Sequence, residues 1–149
     1  MATFQPGDPA YESRVRASFA RQSMMTVLGA SLERVAPGEV DIRLPFRADL
    51  TQQHGFLHAG VTTTIADSAC GYAALSLMEP GAGVLSVEFK INMLAPATGA
   101  HFVAIGRVVR SGRTLTVCRA DVFSVKPDGE KLVATMQGTM MAVRGRGGD

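Results

Sequence analysis

The sequence predicts an α+β fold in which one antiparallel sheet of about six strands curls around a single long helix. The central run from His58 to about Met78 is long enough for roughly five to six helical turns. Four β-rich runs follow it, and short turn-forming segments separate them. With only one long helix for these strands, a sheet that wraps around a buried helix is the natural way to pack them.

A chain of 149 residues fits a single domain, so we expect one domain over 1–149 with flexible ends at 1–10 and 144–149. The composition is 46% hydrophobic and 19% charged, which indicates a globular and not a disordered protein. A formal net charge of +2 is too small to predict a nucleic-acid partner.

The apolar and cysteine patterns favour a cytoplasmic protein. The longest apolar run, 59–78, contains Asp67 and three consecutive threonines, which makes it a poor membrane span, so no membrane partner is expected. The N-terminus lacks the basic start and apolar run of a secretory signal. Cys70 and Cys118 form no CxxC pair, and two reduced thiols are the better interpretation.

The elements before the central helix are a short helix and two strands. "GDPAYESRVRASFARQ" offers Asp8 as a cap and Pro9 in the first turn, with Val15 and Phe19 four residues apart on one face. "MMTVLGASLERVAPGEVDIRLPF" is interpreted as two β-rich runs joined in a hairpin at 37–39. The central helix follows, and "EPGAG" ends it; its small residues allow other elements to approach closely.

The C-terminal half predicts four strands. In the first of them Leu85, Val87 and Phe89 alternate with polar residues, the pattern of a half-buried strand. The hairpin-like separators indicate that consecutive strands pair antiparallel. The four runs are "VLSVEFKINM", "HFVAIGRVVR", "TLTVCRADVFSV" and "KLVATMQGTMMAV", separated by "LAPATGA", "SGR" and "KPDGE".

Asp67 is an unusual residue for the middle of this helix. Aspartate is a poor helix former, and small or apolar residues surround it for a full turn each way. It could be a solvent-facing side chain or the partner of an arginine. A carboxylate beside apolar walls is instead a stronger base than one in water, which suits a general base or nucleophile.

The start of the helix offers a second chemical element. A helix that begins near His58, Ala59 and Gly60 has free N–H groups there, which bind an anion or polarise a carbonyl. Gly60 and Asp67 are seven residues apart, so they lie on nearly the same face but about 10.5 Å apart along the axis. We therefore expect a symmetric homo-oligomer in which the helix start of one chain meets Asp67 of another.

The segments "QQHGFLHAGVTTTIAD", "SVEFKINMLAPA" and "RSGRTL" together resemble the PaaI-type branch of hotdog-fold acyl-CoA thioesterases, from about residue 14 to 143. That branch usually has His-Gly-Gly, six residues and then Asp, which correspond here to His58, Ala59, Gly60 and Asp67. The resemblance implies that Asp67 is the base or nucleophile, that the Gly60 amide binds the thioester oxygen and that His58 helps to position the carbonyl. It also implies that Asp67 faces the partner's helix start.

Other positions of the resemblance differ in how closely they match. Gln52 stands where the branch often has an asparagine and reaches about one methylene further. Ser86 matches a hydroxyl near the nucleophilic water in some relatives, although it could be an ordinary polar strand residue. Arg110, Gly112 and Arg113 form a basic hairpin that is either a solvated turn or, in the resemblance, a site that captures the CoA phosphates.

No metal and no cofactor are expected, other than the coenzyme A of the substrate. His54 and His58 have the spacing of a zinc helix, but the glutamate of HExxH is absent and the segment begins as a loop. The predicted function is hydrolysis of an acyl-CoA with a small, medium-chain or aromatic acyl group, in a dimer or a dimer of dimers. The alternatives are a hotdog dehydratase or hydratase, and a non-catalytic acyl-CoA-binding module.

Overall fold

The computed structural model describes residues 4–145, which form six strands, three α-helices and one 3₁₀ turn. The predicted α+β architecture is confirmed, since all six strands belong to one sheet and one long helix packs against it. The elements are α1 (Tyr11–Arg21), α2 (Ser23–Leu28), β1 (Ser31–Ala36), β2 (Glu39–Pro45), a 3₁₀ turn (Ala48–Leu50), α3 (Ala59–Leu75), β3 (Gly83–Met93), β4 (His101–Ser111), β5 (Leu115–Lys126) and β6 (Gly129–Val143).

The sheet is antiparallel throughout, in the order β1-β2-β4-β5-β6-β3. The prediction that each strand pairs with the next holds for β1 with β2, for β4 with β5 and for β5 with β6. It is wrong for β3 and β4, because β3 pairs with β6 at the far edge of the sheet. The segment 94–100 is therefore a crossover connection, and β3 keeps one edge without a strand partner among residues 4–145.

The segment before β1 corrects a second expectation. Residues predicted to begin the first strand form the short helix α2, which buries Met25 and Leu28 three residues apart on one face. Gly29 ends it with φ 70°, the left-handed C-terminal geometry that glycine adopts without strain. The hairpin itself is confirmed: β1 and β2 pair across a turn in which Gly38 has φ 76°.

The N-terminal segment holds the far end of the central helix. The Arg14 guanidinium donates to the carbonyls of Leu75, Met78 and Glu79, at and just beyond the C-terminus of α3. Asp8 does not cap α1 at its N-cap position as predicted, because Ala10 stands there and donates its N–H to Oδ1 of Asp8. The flexible ends predicted for 1–10 and 144–149 stay predictions, and residues 1–3 and 146–149 lie outside the described residues.

The small residues of α3 let the helix lie directly on the sheet. The helix packs against β2, β3, β4, β5 and β6, and most of its side chains from Ile65 onward are buried. The closest approach is at Gly106 of β4, where a Cβ atom would lie 2.3 Å from the carbonyl oxygen of Ala69. None of the helices in residues 4–145 is long and apolar enough to cross a membrane.

Cys70 of α3 and Cys118 of β5 meet in this interface as buried free thiols. A hydrogen bond with Cys118 and burial both raise the pKa of the Cys70 thiol. Only the thiolate reacts with disulfide reagents, so an inaccessible thiol with a raised pKa is unreactive.

We therefore expect no fast-reacting thiol in the native protein and two after denaturation, measured as thiolate released from an aromatic disulfide reagent. A Cys118→Ala variant should lower the denatured count by one and leave the native count unchanged. Rapid labelling of the native protein would contradict this packing.

Candidate active site

Asp67 and Ser86 form a hydrogen-bonded pair where the middle of α3 meets the start of β3. The Ser86 hydroxyl donates to Oδ1 of Asp67 at 2.7 Å and also lies 3.5 Å from the sulfur of Met140. Ser86 faces the helix because it pairs with Met140, a fully buried residue on the inner side of the sheet. A β-bulge follows between Ser86 and Glu88, a feature that re-aims side chains near active sites.

The carboxylate of Asp67 is half-buried and keeps one oxygen available. In residues 4–145 it forms no ion pair, so the interpretation as the partner of an arginine does not hold. Oδ1 accepts from Ser86, whereas Oδ2 has no hydrogen-bond donor in the described part of the chain. One fixed oxygen and one free oxygen suit a carboxylate that must take a proton or attack a carbonyl carbon.

A cavity of about 220 Å³ lies beside this carboxylate. Helix α1 closes one side of it: the rings of Phe19 and Tyr72 pack in a tilted arrangement, with centroids 5.7 Å apart, and hold α1 against α3. The cavity is lined by Ser18, Gln22, Asp67, Ser68, Gly71, Tyr72, Val84 and Ser86.

The helix start has a different geometry from the one predicted. His58 is the N-cap residue of α3, and its ring Nδ1 accepts a 2.8 Å hydrogen bond from the Gly60 N–H. The Gly60 amide, predicted to bind the thioester oxygen, is thus engaged by the His58 side chain. The Ala59 N–H donates to no acceptor among the described residues, and His58, Ala59 and Gly60 are all exposed.

Gln52 lies in the loop before this helix start. Its Oε1 accepts a hydrogen bond from the His54 N–H, which closes a local turn and leaves the side-chain NH₂ group as the free donor. Gln52 and Ala59 both line a second, larger cavity of about 400 Å³ whose walls are mainly apolar. The structure thus finds a backbone contact for His54, to which the sequence assigned no role.

The two halves of the predicted site are separate within one chain. Asp67 and Ser86 line the smaller cavity, whereas Gln52 and Ala59 line the larger one, and no residue is common to both. A rise of about 1.5 Å per residue puts Gly60 and Asp67 roughly 10.5 Å apart along α3. One small carbonyl group therefore cannot contact both within a single chain.

Arg110, Gly112 and Arg113 lie in and beside the β4–β5 hairpin, and all three are exposed. The Gly112 N–H donates to the Leu115 carbonyl and closes the turn. Gly112 and Arg113 line a cavity of about 130 Å³ with Arg144, and Arg110 is not among its lining residues.

His54 and His58 form no metal site within residues 4–145, where no group of three or more His, Cys, Asp or Glu side chains could hold an ion. His54 contributes a backbone N–H and His58 a helix cap. The absence of a metal in the enzyme stays a prediction.

Three of the residues around Asp67 were not predicted from the sequence. Ser18 lies in α1, and Gln22 follows directly after it. The third residue is Ser68, whose hydroxyl donates to Oε1 of Gln22 at 3.3 Å. The spacing of Met25 and Leu28 before Gly29 could have indicated the helix α2, but no local pattern shows that this segment lies against α3.

A curled antiparallel sheet around one long helix is the hotdog fold, and here the carboxylate of Asp67 lines a cavity in that fold. A model of the thioesterase superfamily matches residues 54–131. Acyl-coenzyme A thioesterase 13 from Homo sapiens is 32% identical over 122 residues, which cover 80% of this chain and 85% of the human protein.

Solved structures show the same similarity. A thioesterase family protein from Silicibacter pomeroyi is 52% identical and has a TM-score of 0.89, over 91% of this chain and 99% of the other. The PaaI protein of E. coli shares the fold with a TM-score of 0.81 at 20% identity, over 91% of this chain and 94% of PaaI. The chain belongs to the thioesterase superfamily. The predicted resemblance to PaaI-type hotdog thioesterases and the predicted enzyme class are thereby confirmed.

Proposed function

We propose that the enzyme hydrolyses an acyl-CoA thioester with a small, medium-chain or aromatic acyl group to the free acid and CoA. The observation that carries this proposal is the pair of Asp67 and Ser86 in a cavity, with one carboxylate oxygen held by a hydroxyl and the other free. Similarity to acyl-coenzyme A thioesterase 13 supports the thioester of coenzyme A as the substrate.

In the proposed reaction Oδ2 of Asp67 acts on the thioester carbon, either by taking a proton from the attacking water or by attacking directly. In either route the C–S bond breaks and CoA leaves as the thiol, with its proton supplied by the reacting water. After direct attack, that water hydrolyses the acyl-Asp67 anhydride to the free acid and restores the carboxylate. The carbonyl oxygen, which gains negative charge, is bound at a helix start by the Gly60 N–H. The exposed His58 ring must rotate away for this, which costs one hydrogen bond of about 0.5–1.5 kcal/mol. The Gln52 NH₂ group is a further donor near the helix start, since Gln52 and Ala59 line the same cavity.

The site is proposed to form between two copies of the chain, so that the helix start of one serves Asp67 of the other. The unpaired edge of β3 supports this proposal, because exposed apolar side chains follow it at Leu85, Val87 and Phe89. An apolar strand edge is a ready template for pairing with a second strand. A dimer built on β3 would also bring its partner close to Ser86 and Asp67.

The remaining parts of the proposal concern coenzyme A and the compartment. The exposed guanidinium groups of Arg110 and Arg113, at the hairpin turned by Gly112, would attract the CoA phosphates. No cofactor is proposed besides the coenzyme A of the substrate. Two buried free thiols favour a reducing compartment and hence a cytoplasmic enzyme.

The first experiment is CoA release from a panel of acyl-CoA thioesters, followed with a disulfide reagent. Because both protein thiols are buried, the reagent should report CoA with little background. Turnover of at least one acyl-CoA is expected. Binding of the panel without any release of CoA would instead support the acyl-CoA-binding module.

The shared site predicts a link between oligomeric state and activity. Val87→Lys, which adds a charge to the strand edge, should shift the protein toward monomer in light scattering and lower kcat with it. Val109→Lys is a matched control: Val109 is 59% exposed against 53% for Val87, and each residue lies at a β-bulge, but Val109 belongs to an inner strand. A monomeric Val87→Lys protein with full activity would contradict the shared site.

A further inference from the structure

The cavity beside Asp67 has a polar lining, which is unusual for a site that holds a hydrocarbon chain. Six of its eight lining residues carry a hydroxyl, an amide or a carboxylate: Ser18, Gln22, Asp67, Ser68, Tyr72 and Ser86. The larger cavity at the helix start is the opposite, with apolar side chains at nine of its eleven lining residues. The polar character is therefore specific to the Asp67 side of the site.

Gln22 is the lining residue best fixed to donate a hydrogen bond into this cavity. Its backbone joins two helices, because its N–H donates to the Phe19 carbonyl and its own carbonyl accepts from Met25, each at 3.0 Å. Its side-chain oxygen accepts from the Ser68 hydroxyl. The amide is thereby oriented with its NH₂ group free, since this group meets no acceptor among residues 4–145.

A free donor in a narrow cavity discriminates between ligands. A hydrocarbon group that displaces water from it leaves the NH₂ group without an acceptor, at a cost of about 1–3 kcal/mol. A neutral oxygen on the ligand replaces that water and avoids the cost. An anionic substituent would be repelled by the carboxylate of Asp67 on the same wall.

We propose that Gln22 determines specificity and that the acyl group bears a neutral hydrogen-bonding oxygen, a hydroxyl or a carbonyl, close to the thioester. This inference rests on the proposed function, since it assigns the acyl group to the Asp67 cavity. The size agrees with a compact group: a cavity of about 150 Å³ binds benzene, and this one measures about 220 Å³.

The test compares two thioesters that differ by one hydroxyl, butanoyl-CoA and 3-hydroxybutanoyl-CoA. The wild type should have the higher kcat/KM for the hydroxylated compound. Gln22→Leu keeps the approximate size of the side chain and removes the donor, so the ratio of the two kcat/KM values should fall by about 3- to 10-fold, the equivalent of one hydrogen bond. The ratio is the diagnostic value, because a general loss of activity would lower kcat/KM for both thioesters alike.

Gln137→Leu is the matched control, because Gln137 is exposed and pairs with Lys90 on the strand at the sheet edge, away from this cavity. The ratio of the two kcat/KM values for Gln137→Leu should equal that of the wild type. If Gln22→Leu does not fold, Gln22→Met removes the same donor without adding a charge beside Asp67 and should lower the ratio likewise.

Binding separates this inference from the proposed function. Dissociation constants of both thioesters for Asp67→Asn, with and without Gln22→Leu, should show the same fall in preference, because turnover in this background is slowed at least about 100-fold. Equal preference in wild type and Gln22→Leu, in kcat/KM and in binding, would overturn the role of Gln22 and leave thioester hydrolysis intact. Absence of turnover in the wild type, with the binding preference present, would overturn only the hydrolysis.

Discussion

Replacing Asp67 by asparagine should lower kcat for acyl-CoA hydrolysis by at least about 100-fold, the lower range for losing a positioned acid-base group. Asparagine has the same shape, and its side-chain oxygen can still accept the Ser86 hydroxyl. The substitution therefore removes the charge and the proton-accepting oxygen without removing the contact that holds the side chain. The measurement is CoA release under saturating substrate, with KM determined separately.

The same substitution at an exposed aspartate provides the control. Asp49 forms a surface ion pair with Arg47, and its carboxylate lines none of the cavities described above. Asp49→Asn should retain the wild-type kcat, and both variants should unfold at the wild-type denaturant midpoint to within a small margin. Turnover by Asp67→Asn at the wild-type rate would remove this residue from the mechanism and return it to the solvent-facing interpretation.

The largest effect on stability is expected at Gly106. A Cβ atom there would lie 2.3 Å and 2.4 Å from the carbonyl oxygen and carbon of Ala69, and 2.8 Å from the backbone nitrogen of Cys70. These atoms belong to the backbone of α3 and cannot rotate away, so the helix must move off the sheet. Gly106→Ala should lower the free energy of unfolding by about 3 kcal/mol or more, the upper range for overpacking, measured by denaturant titration.

Gly71→Ala is the paired control for that experiment. Gly71 lies within α3, and a Cβ atom there would meet only Val84 Cγ1, at 4.0 Å. Alanine is favoured over glycine inside a helix by about 0.8–1.0 kcal/mol, so this variant should be slightly more stable than the wild type. If Gly106→Ala unfolds at the wild-type midpoint, the helix does not lie on β4 as closely as the structure has it.

The central helix and most strands of this protein can be predicted from the local sequence. The small residues of 59–75 form the central helix, and four runs with turn residues between them form β3 to β6. Asp67 was singled out because an aspartate within an apolar helix conflicts with helix propensity, and such conflicts concentrate at functional sites. The helix α2 was missed because six residues with two buried apolar positions resemble a strand.

The arrangement of the site depended on contacts between distant residues. The sequence predicted a free amide at Gly60, but not that the His58 ring would cap it, because side-chain orientation at a helix start is set by local packing. It predicted Ser86 only through a family resemblance, and Gln22 not at all. These residues meet Asp67 because α1, which precedes α3 in the sequence, and β3, which follows it, both pack onto that helix.

By itself, then, the sequence determined which segments become helix and strand and which carboxylate is chemically unusual, because periodicity and propensity act over neighbouring residues. Only the tertiary structure decided that β3 lies at the sheet edge beside β6, that Ser86 reaches Asp67 and that Gln22 lines the same cavity. The strand order depends on how the whole sheet closes around the helix. The same is true of hydrogen bonds between side chains that are 19 or 46 residues apart in the sequence. That closure minimises the free energy of the entire core and leaves no local pattern in the chain.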